Sequence, residues 1–212
     1  FVKSINPMNE PHHNCDPTVL LDLQEVPGTQ EELQYMLLRL GVDITKPIVA
    51  TMCKPWLAKV VRSIVDEEYQ IVAVFFSNPY ANHYVKNLTP FQWSKIFGCF
   101  DVVFTHFFHG NLLSLKNGTP TIPIEQKTDY NQKHDSKIRD FMKRLNLIDN
   151  CFYLDEVMED KSKVRLLMKD MIENKDKYAL KISKALSIES DAFLTFRDAL
   201  GKCIEKIKNE NQ

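Results

Sequence analysis

A strand, a tight turn and a helix follow one another within residues 100–123, and this run constrains the fold more than any other part of the chain. It reads FDVVFTHFFHGNLLSLKNGTPTIP. Residues 101–105 are β-branched and aromatic, as in a buried parallel strand, and the apolar run stops at residues 106–110. Leucines then mark one face of a helix, Asn117 and Gly118 end it, and residues 119–124 return to strand. We therefore predict a strand–turn–helix–strand unit.

The turn of this unit is a candidate anion site. In open α/β sheets, ligands bind outside the carboxyl ends of strands, where a helix N-terminus offers free backbone N–H groups. The N–H groups of Phe108, His109 and Gly110 fall at that place and could receive an anion. An alternative remains for His109, in which its imidazole caps the helix and hydrogen-bonds to a neighbouring carbonyl group.

Strand-like and helix-like patterns alternate along the rest of the chain, which favours a parallel sheet covered by helices on both faces. We expect an α/β domain over residues 1–160 and C-terminal helices over residues 161–212 that pack on it. The last helix carries an apolar stripe, so it packs on this domain or docks onto another one. Further strands are expected at residues 19–23, 48–52, 71–76 and 151–154, and further helices at residues 30–40, 56–66, 90–97, 135–145, 163–174 and 177–208.

Composition excludes several classes of protein. The 27 basic and 28 acidic residues are not arranged in strong blocks, so nothing favours nucleic acid or an anionic membrane surface as a partner. No apolar run approaches the roughly 20 residues that span a bilayer, and we expect a cytoplasmic protein.

The five cysteines are scattered and predict reduced thiols. Residues 12–15 (HHNC) look like metal ligands, but no second spaced pair follows, so no metal is predicted.

Residues 100–123 resemble the signature of the polysaccharide pyruvyl transferase family, in which a strand precedes a histidine–glycine pair, a Leu-rich helix and a Gly-x-Pro turn into the next strand. Three other segments resemble the family in the same order. They are residues 16–18 (DPT) with the apolar residues after them, residues 88–90 (LTP) with Trp93, and residues 136–137 (SK) ahead of Phe141. One position departs from the pattern, because Phe107 stands where the family commonly has arginine.

The resemblance implies a bacterial enzyme of exopolysaccharide biosynthesis. Such an enzyme moves a pyruvyl group from phosphoenolpyruvate to two hydroxyl groups of a sugar in a cell-surface polysaccharide and forms a ketal. Phenylalanine at residue 107 removes a cation expected to hold the donor. The implied fold is a Rossmann-like α/β domain similar to the C-terminal domain of a GT-B-type transferase. A missing N-terminal domain, a sugar or lipid-linked glycan acceptor and peripheral membrane association are the expected partners, and no cofactor is implied beyond phosphoenolpyruvate as donor substrate.

The resemblance also assigns roles on the donor side. His109 is the candidate catalytic acid that protonates the methylene carbon, because the pKa of histidine lies near neutrality. Lys137 is the candidate charged contact to the donor, although an exposed lysine on an amphipathic helix needs no ligand. His106 is expected to replace the missing cation, or to be a packed residue at a strand end.

Three residues are candidates for the acceptor side. Glu125 follows the Gly-x-Pro turn at the carboxyl end of a strand and could accept a proton or bind a sugar hydroxyl group; otherwise it is a solvated acid. Asn82 and His83 belong to the loop at residues 77–83, which we expect at the carboxyl end of another strand, although loop polarity alone explains them equally well.

Two other functional classes remain open. The first is a GT-B-type glycosyltransferase domain that uses a nucleotide sugar, because its second domain also presents a helix N-terminus to a diphosphate. The second is a non-catalytic relative in which Phe107 marks a lost donor site. Binding of a nucleotide diphosphate, or of no ligand at all, would separate these classes from the pyruvyl transferase. We also expect the chain to begin inside a longer protein, because its first residue is phenylalanine.

Overall fold

The fold is built around a parallel sheet. The computed structural model describes residues 16–129 and 134–210. Within them a six-stranded sheet has the order β3-β2-β1-β4-β5-β6, and every pair of neighbouring strands is parallel. The predicted parallel sheet is therefore confirmed. The strands are β1 (Ile48–Met52), β2 (Gln70–Val74), β3 (His83–Val85), β4 (Val102–Thr105), β5 (Thr121–Glu125) and β6 (Phe152–Tyr153).

Helices cover both faces of this sheet, as predicted for a Rossmann-like α/β fold. They are α1 (Gln30–Arg39), α2 (Pro55–Ile64), α3 (Pro90–Lys95), α4 (Phe108–Lys116), α5 (Lys137–Arg144), α6 (Leu154–Glu159), α7 (Lys161–Glu173) and α8 (Lys175–Glu210). On one face, Val61 of α2 and Met168 of α7 pack in one core cluster with Val49 of β1. On the other face, Leu37 of α1 and Leu113 of α4 pack in a second cluster.

The direction in which the chain winds changes between β1 and β4. From β1 the chain runs outward to β2 and β3, and it then crosses back to β4 and runs outward through β5 to β6. In sheets of this kind the ligand-binding crevice lies outside the carboxyl ends of the strands at this switch point. Met52 of β1 and Thr105 of β4 are paired there, and the Thr105 hydroxyl group donates a hydrogen bond of 3.0 Å to the Met52 carbonyl oxygen.

Helix α4 lies unusually close to this part of the sheet. Gly110 in its first turn is buried, and a Cβ atom at this position would lie 2.6 Å from Met52 Sδ and 2.8 Å from Thr105 Oγ1. Real Cβ atoms essentially never approach other atoms so closely. Gly110 therefore allows the start of α4 to rest directly on β1 and β4.

Two parts of the predicted secondary structure are wrong or incomplete. The predicted strand at residues 19–23 is instead a 3₁₀-helix, Pro17–Leu20, since Asp16 Oδ1 accepts a hydrogen bond of 3.1 Å from the Thr18 N–H group and Pro17 fixes the first turn. Val19 is buried from this turn. Strand β3 and helix α6, which are short and lie among polar residues, were not predicted.

The long C-terminal helix α8 packs against the domain over its first half. Ile182 and Leu186 join a third core cluster with Leu112 of α4 and Phe141 of α5. Farther along, Leu200 is 49% exposed. Helices α7 and α8 share core clusters with the sheet domain. The division into residues 1–160 and 161–212 stays a prediction. Among the described residues, none of the helices has the length and apolar character needed to cross a membrane.

Candidate functional site

The N-terminus of α4 presents free backbone donors. The helix begins at Phe108, and Phe107 at its N-cap has extended backbone angles and makes no side-chain capping hydrogen bond. The first intrahelical hydrogen bond joins the Asn111 N–H group to the Phe107 carbonyl oxygen at 3.0 Å. The N–H groups of Phe108, His109 and Gly110 are thus the first three of the helix and have no hydrogen-bond acceptor among the described residues, so they can receive an anion.

His109 and Lys137 meet at one carboxylate group, that of Asp16. Lys137 Nζ lies 2.9 Å from Asp16 Oδ2, and His109 Nε2 lies 3.7 Å from the same oxygen atom. The His109 and Lys137 side chains are 59% and 60% exposed, whereas that of Asp16 is only 14% exposed. We call these three residues the Asp16 cluster. Within the described part of the chain, the His109 ring makes no hydrogen bond to a backbone carbonyl group, so the alternative capping role is not observed.

Asp16 is ionised at neutral pH. Burial acts to raise the pKa of its carboxyl group, but the hydrogen bonds from Lys137 and Thr18 outweigh burial and lower the pKa from 3.8 to about 2. Its carboxylate group therefore fixes the position of the Lys137 ammonium group next to the turn. Asp16 was not predicted as a site residue, although its position in the DPT segment was a usable signal.

Lys137 is placed by its helix as well as by Asp16. It is the first residue of α5, where the Ser136 side chain at the N-cap accepts a hydrogen bond of 3.1 Å from the Arg139 N–H group. Lys137 Nζ also lies 3.9 Å from the centroid of the Phe108 ring, a cation–π contact. The predicted charged residue and the predicted turn are thus neighbours in space.

Glu125 lies at the carboxyl end of β5, as predicted. Ser136 Oγ donates a hydrogen bond of 2.7 Å to Glu125 Oε2, so one serine both caps α5 and holds Glu125. Burial raises the pKa of Glu125 above its usual value of 4.5, against the opposing hydrogen bond from Ser136. A carboxylate group with a raised pKa is a better proton acceptor than an ordinary surface acid.

His106 is a packed residue at a strand end, the second of its two predicted roles, and it does not replace the missing cation. Its ring lies 5.3 Å from that of Trp56 and 4.0 Å from that of Phe107, and Nδ1 is buried without a hydrogen-bond partner among the described residues. Burial, with a contribution from the charge of Lys54, lowers the pKa of His106 from 6.5 to about 4. Its imidazole is therefore neutral at pH 7. The exposed Lys54, which follows β1, is a cation near this turn that the sequence analysis did not name.

A neutral buried histidine makes stability depend on pH. Because the pKa of His106 is about 4 in the folded chain and about 6.5 in the unfolded chain, the unfolded state takes up a proton first as the pH falls. We expect the free energy of unfolding to decrease between pH 6.5 and pH 4, and His106→Gln to reduce this slope. Urea unfolding at several pH values measures it. Equal slopes in the variant and the wild type would contradict the burial of a neutral ring.

Asn82 and His83 lie at the amino end of the sheet, and their predicted place at a carboxyl end is wrong. Asn82 Oδ1 accepts a hydrogen bond of 2.8 Å from the N–H group of Ile71 near the start of β2. His83 is the first residue of β3 and its Nδ1 lies 3.1 Å from the Leu40 carbonyl oxygen. The error arises because the loop after β2 carries the chain back across the sheet before parallel β3 begins. Neither residue joins the Asp16 cluster.

Phe107 occupies the arginine position of the family pattern with an aromatic contact. Its ring stacks on Phe76 at a centroid distance of 5.0 Å and an interplanar angle of 15°. Phe108 points to the opposite side and packs edge-on against Phe141 of α5 at 5.5 Å. The position of Phe107 is therefore part of the packing between the ends of β2 and β4 and supplies no charge.

The sequence matches the model of a known protein family over more than half of its length. The model of the family described as polysaccharide pyruvyl transferase matches residues 3–128, which is more than half of the chain. The chain belongs to the polysaccharide pyruvyl transferase family. The match covers Asp16, His109 and Glu125 and ends before Lys137. A comparison with curated proteins found no significant match.

Solved structures resemble the chain at low sequence identity. A protein from Listeria monocytogenes, described as a UDP-N-acetylglucosamine 2-epimerase, aligns with 81% of this chain and 48% of its own, at 14% identity and a TM-score of 0.50. The glycotransferase of kitacinnamycin aligns with 76% of this chain and 43% of its own, at 12% identity and a TM-score of 0.47. The glycosyltransferase SnogD from Streptomyces nogalater aligns with 71% of this chain and 44% of its own, at 14% identity and a TM-score of 0.34. The chain spans less than half the length of each, and the likeness to the Listeria protein concerns the fold alone.

Metal ligands are not gathered in the part of the chain that the structure describes. Within residues 16–129 and 134–210, no three His, Cys, Asp or Glu side chains are grouped so that they could hold a metal ion. The histidines and the cysteine at residues 12–15 lie outside the described residues.

Proposed function

We propose that this chain carries the donor site of a transferase that moves a pyruvyl group from phosphoenolpyruvate to a sugar of a polysaccharide. One observation carries the proposal. In a member of the polysaccharide pyruvyl transferase family, His109 and Lys137 meet at Asp16 beside the uncapped N-terminus of α4. An imidazole, an ammonium group and free N–H donors are the groups that an enol phosphate needs around it.

The reaction has a defined balance of bonds and protons. A proton adds to the methylene carbon of phosphoenolpyruvate, which makes the neighbouring carbon atom electrophilic. Two sugar hydroxyl groups attack that carbon in turn, so two C–O bonds form while the C–O bond to phosphate breaks. The two hydroxyl protons are released, one replacing the proton that was added to the methylene carbon and one leaving with phosphate. The site must therefore supply an acid, an anion receptor and a proton acceptor.

The residues around α4 divide these roles between them. The ammonium group of Lys137 has three donor hydrogens, so it can contact a phosphate or carboxylate group while it keeps its contact with Asp16. The free N–H groups at Phe108, His109 and Gly110 add dipolar attraction for the same anion. His109, exposed at the turn, is the acid that protonates the methylene carbon. Glu125 is the acceptor for a hydroxyl proton.

Titration with phosphoenolpyruvate tests the anion site directly. Since hydrogen bonds from charged groups contribute about 1.5–3 kcal/mol, Lys137→Gln should weaken phosphoenolpyruvate binding by roughly 10-fold or more. Lys143→Gln is the matched control, because Lys143 lies on the same helix and pairs with Asp135 instead of Asp16. Calorimetry gives both affinities. Equal affinities in the two variants would refute the role of Lys137.

Binding of uridine diphosphate and the product formed with a polysaccharide acceptor separate the proposed function from its alternatives. The full-length protein is titrated with uridine diphosphate and with phosphoenolpyruvate, and the products with a polysaccharide acceptor are examined by NMR. Formation of a pyruvate ketal with release of phosphate supports the pyruvyl transferase. Tight binding of the nucleotide without phosphoenolpyruvate binding would instead indicate a nucleotide-sugar glycosyltransferase, and binding of neither would indicate a non-catalytic relative.

A further inference from the structure

A pocket lies at the carboxyl ends of β2 and β3, outside the Asp16 cluster. Its volume is about 500 Å³, within the usual range for small-molecule sites. The rings of Phe75, Tyr84 and Trp93 line it together with apolar side chains, and the polar residues Lys86 and Asn87 also line it. An apolar and aromatic wall with a few polar groups is the usual composition of a ligand site.

Phe75 is held in this pocket at a cost in backbone strain. Its φ angle is 71°, in the left-handed region that bulky residues rarely adopt, and its side chain is 56% exposed. The Tyr84 hydroxyl group donates a hydrogen bond of 3.2 Å to the Phe75 carbonyl oxygen, and the Phe75 ring packs edge-on against Trp93 at 5.5 Å. Strained residues persist where their surroundings fix them, and they cluster at ligand clamps. These contacts hold the exposed ring of Phe75 where a ligand in the pocket can touch it.

A continuous row of aromatic rings links this pocket to the proposed donor site. Phe75 contacts Phe76 at 4.7 Å, and Phe76 stacks on Phe107 at 5.0 Å. Phe107 is the N-cap residue of α4, two residues before His109. The pocket and the Asp16 cluster therefore lie along the same edge of the sheet, where the acceptor of a transfer reaction must approach the donor.

The chemistry of the pocket fits one class of acceptor. The C–H face of a sugar ring can pack against the aromatic wall, while a few polar side chains satisfy its hydroxyl groups. Lys86 is exposed and forms no ion pair within the described residues, so an anionic substituent on the ligand would complement its charge. We propose that this pocket binds an acidic pyranose of the acceptor glycan, that is, a sugar ring bearing a carboxylate or phosphate group. The identification of this sugar as part of the acceptor rests on the proposed function.

Tryptophan fluorescence can report binding at this pocket. The chain has two tryptophans, so Trp56→Phe leaves Trp93 as the single reporter. We expect a saturable fluorescence change with methyl glucuronide and with glucose 1-phosphate, and weaker binding of neutral methyl glucoside. The ratio between the two acidic ligands distinguishes a carboxylate from a phosphate substituent. Lys86→Gln should remove the preference for the acidic ligands, an effect of about 2- to 5-fold for an exposed charge pair.

Phe75→Gly tests the aromatic wall without disturbing the backbone, since glycine adopts a positive φ angle freely. It should abolish the sugar-dependent change, whereas Phe91→Ala, at an exposed phenylalanine of α3 that does not line the pocket, should not. Circular dichroism verifies that each variant is folded, and Lys86→Gln provides an independent arm. No saturable change with any sugar, or unchanged binding in Phe75→Gly, would overturn the inference. The same proteins are also titrated with phosphoenolpyruvate. If they bind it but bind no sugar, this inference fails while the proposed donor site stands.

Discussion

Replacement of His109 by glutamine in the full-length protein is expected to lower the rate of pyruvyl transfer by about 100-fold or more, the usual contribution of a positioned acid. Glutamine keeps a polar side chain at the turn but cannot deliver a proton to carbon. The helix N–H groups and Lys137 remain, so most of the affinity for phosphoenolpyruvate should persist. Steady-state kinetics, with phosphate release as the readout, measures both quantities.

The same substitution at His83 is the matched control. His83 lies at the amino end of the sheet, and His83→Gln should leave the rate of transfer unchanged. If His109→Gln retained a rate within about threefold of the wild type at an unchanged melting temperature, the imidazole would not be the acid. A loss of rate that accompanied a loss of folded protein would instead be visible in the melting temperature.

Replacement of Gly110 by alanine is expected to reduce the free energy of unfolding by about 1–3 kcal/mol, the usual cost of overpacking. The added Cβ would lie 2.6 Å from Met52 Sδ and 2.8 Å from Thr105 Oγ1. The Met52 side chain can shift, but the Thr105 hydroxyl group is held by its hydrogen bonds to the Met52 carbonyl oxygen and the Phe107 N–H group. Helix α4 must therefore move off the sheet. Urea unfolding measures the change.

Gly201→Ala provides a control of opposite sign. Gly201 lies within α8, and a Cβ atom there would meet no other atom within 4 Å. Alanine in an open helical position is expected to stabilise the protein by about 0.5–1 kcal/mol relative to glycine. If both variants were stabilised, the close contact between α4 and the sheet would be absent in solution. In that case Gly110 would serve only the local geometry of the turn.

The parts of the fold that sequence could predict are those fixed by local patterns. The strand predicted at residues 48–52 matches β1, because a β-branched apolar run buried on both faces has a distinct composition. The strand predicted at residues 19–23 failed because the side chain of Asp16 and the ring of Pro17 start a helical turn before the apolar residues. Strand β3 has only three residues and lies at the edge of the sheet, where little periodicity can accumulate.

The candidate site shows the same limit. His109 and Gly110 were predictable because a strand, a turn and a helix adjacent in sequence define the N-terminus of α4. The contact between Asp16 and Lys137 depends on tertiary packing, which a single sequence does not reveal. The neutral state of His106 was missed for a similar reason, since burial in the folded chain, with a contribution from the charge of Lys54, lowers its pKa.

Asp16 and Lys137 are 121 residues apart in the chain, which has a consequence for biosynthesis. The ribosome makes the N-terminal part of a protein first. Asp16 therefore emerges from the ribosome long before Lys137, whose ammonium group pairs with its carboxylate group. Since the intervening residues include β1 through β5, the sheet can form before the donor site closes. A nascent chain arrested ahead of α5 would have the sheet core and the N-terminus of α4, but it would lack the ammonium group of Lys137.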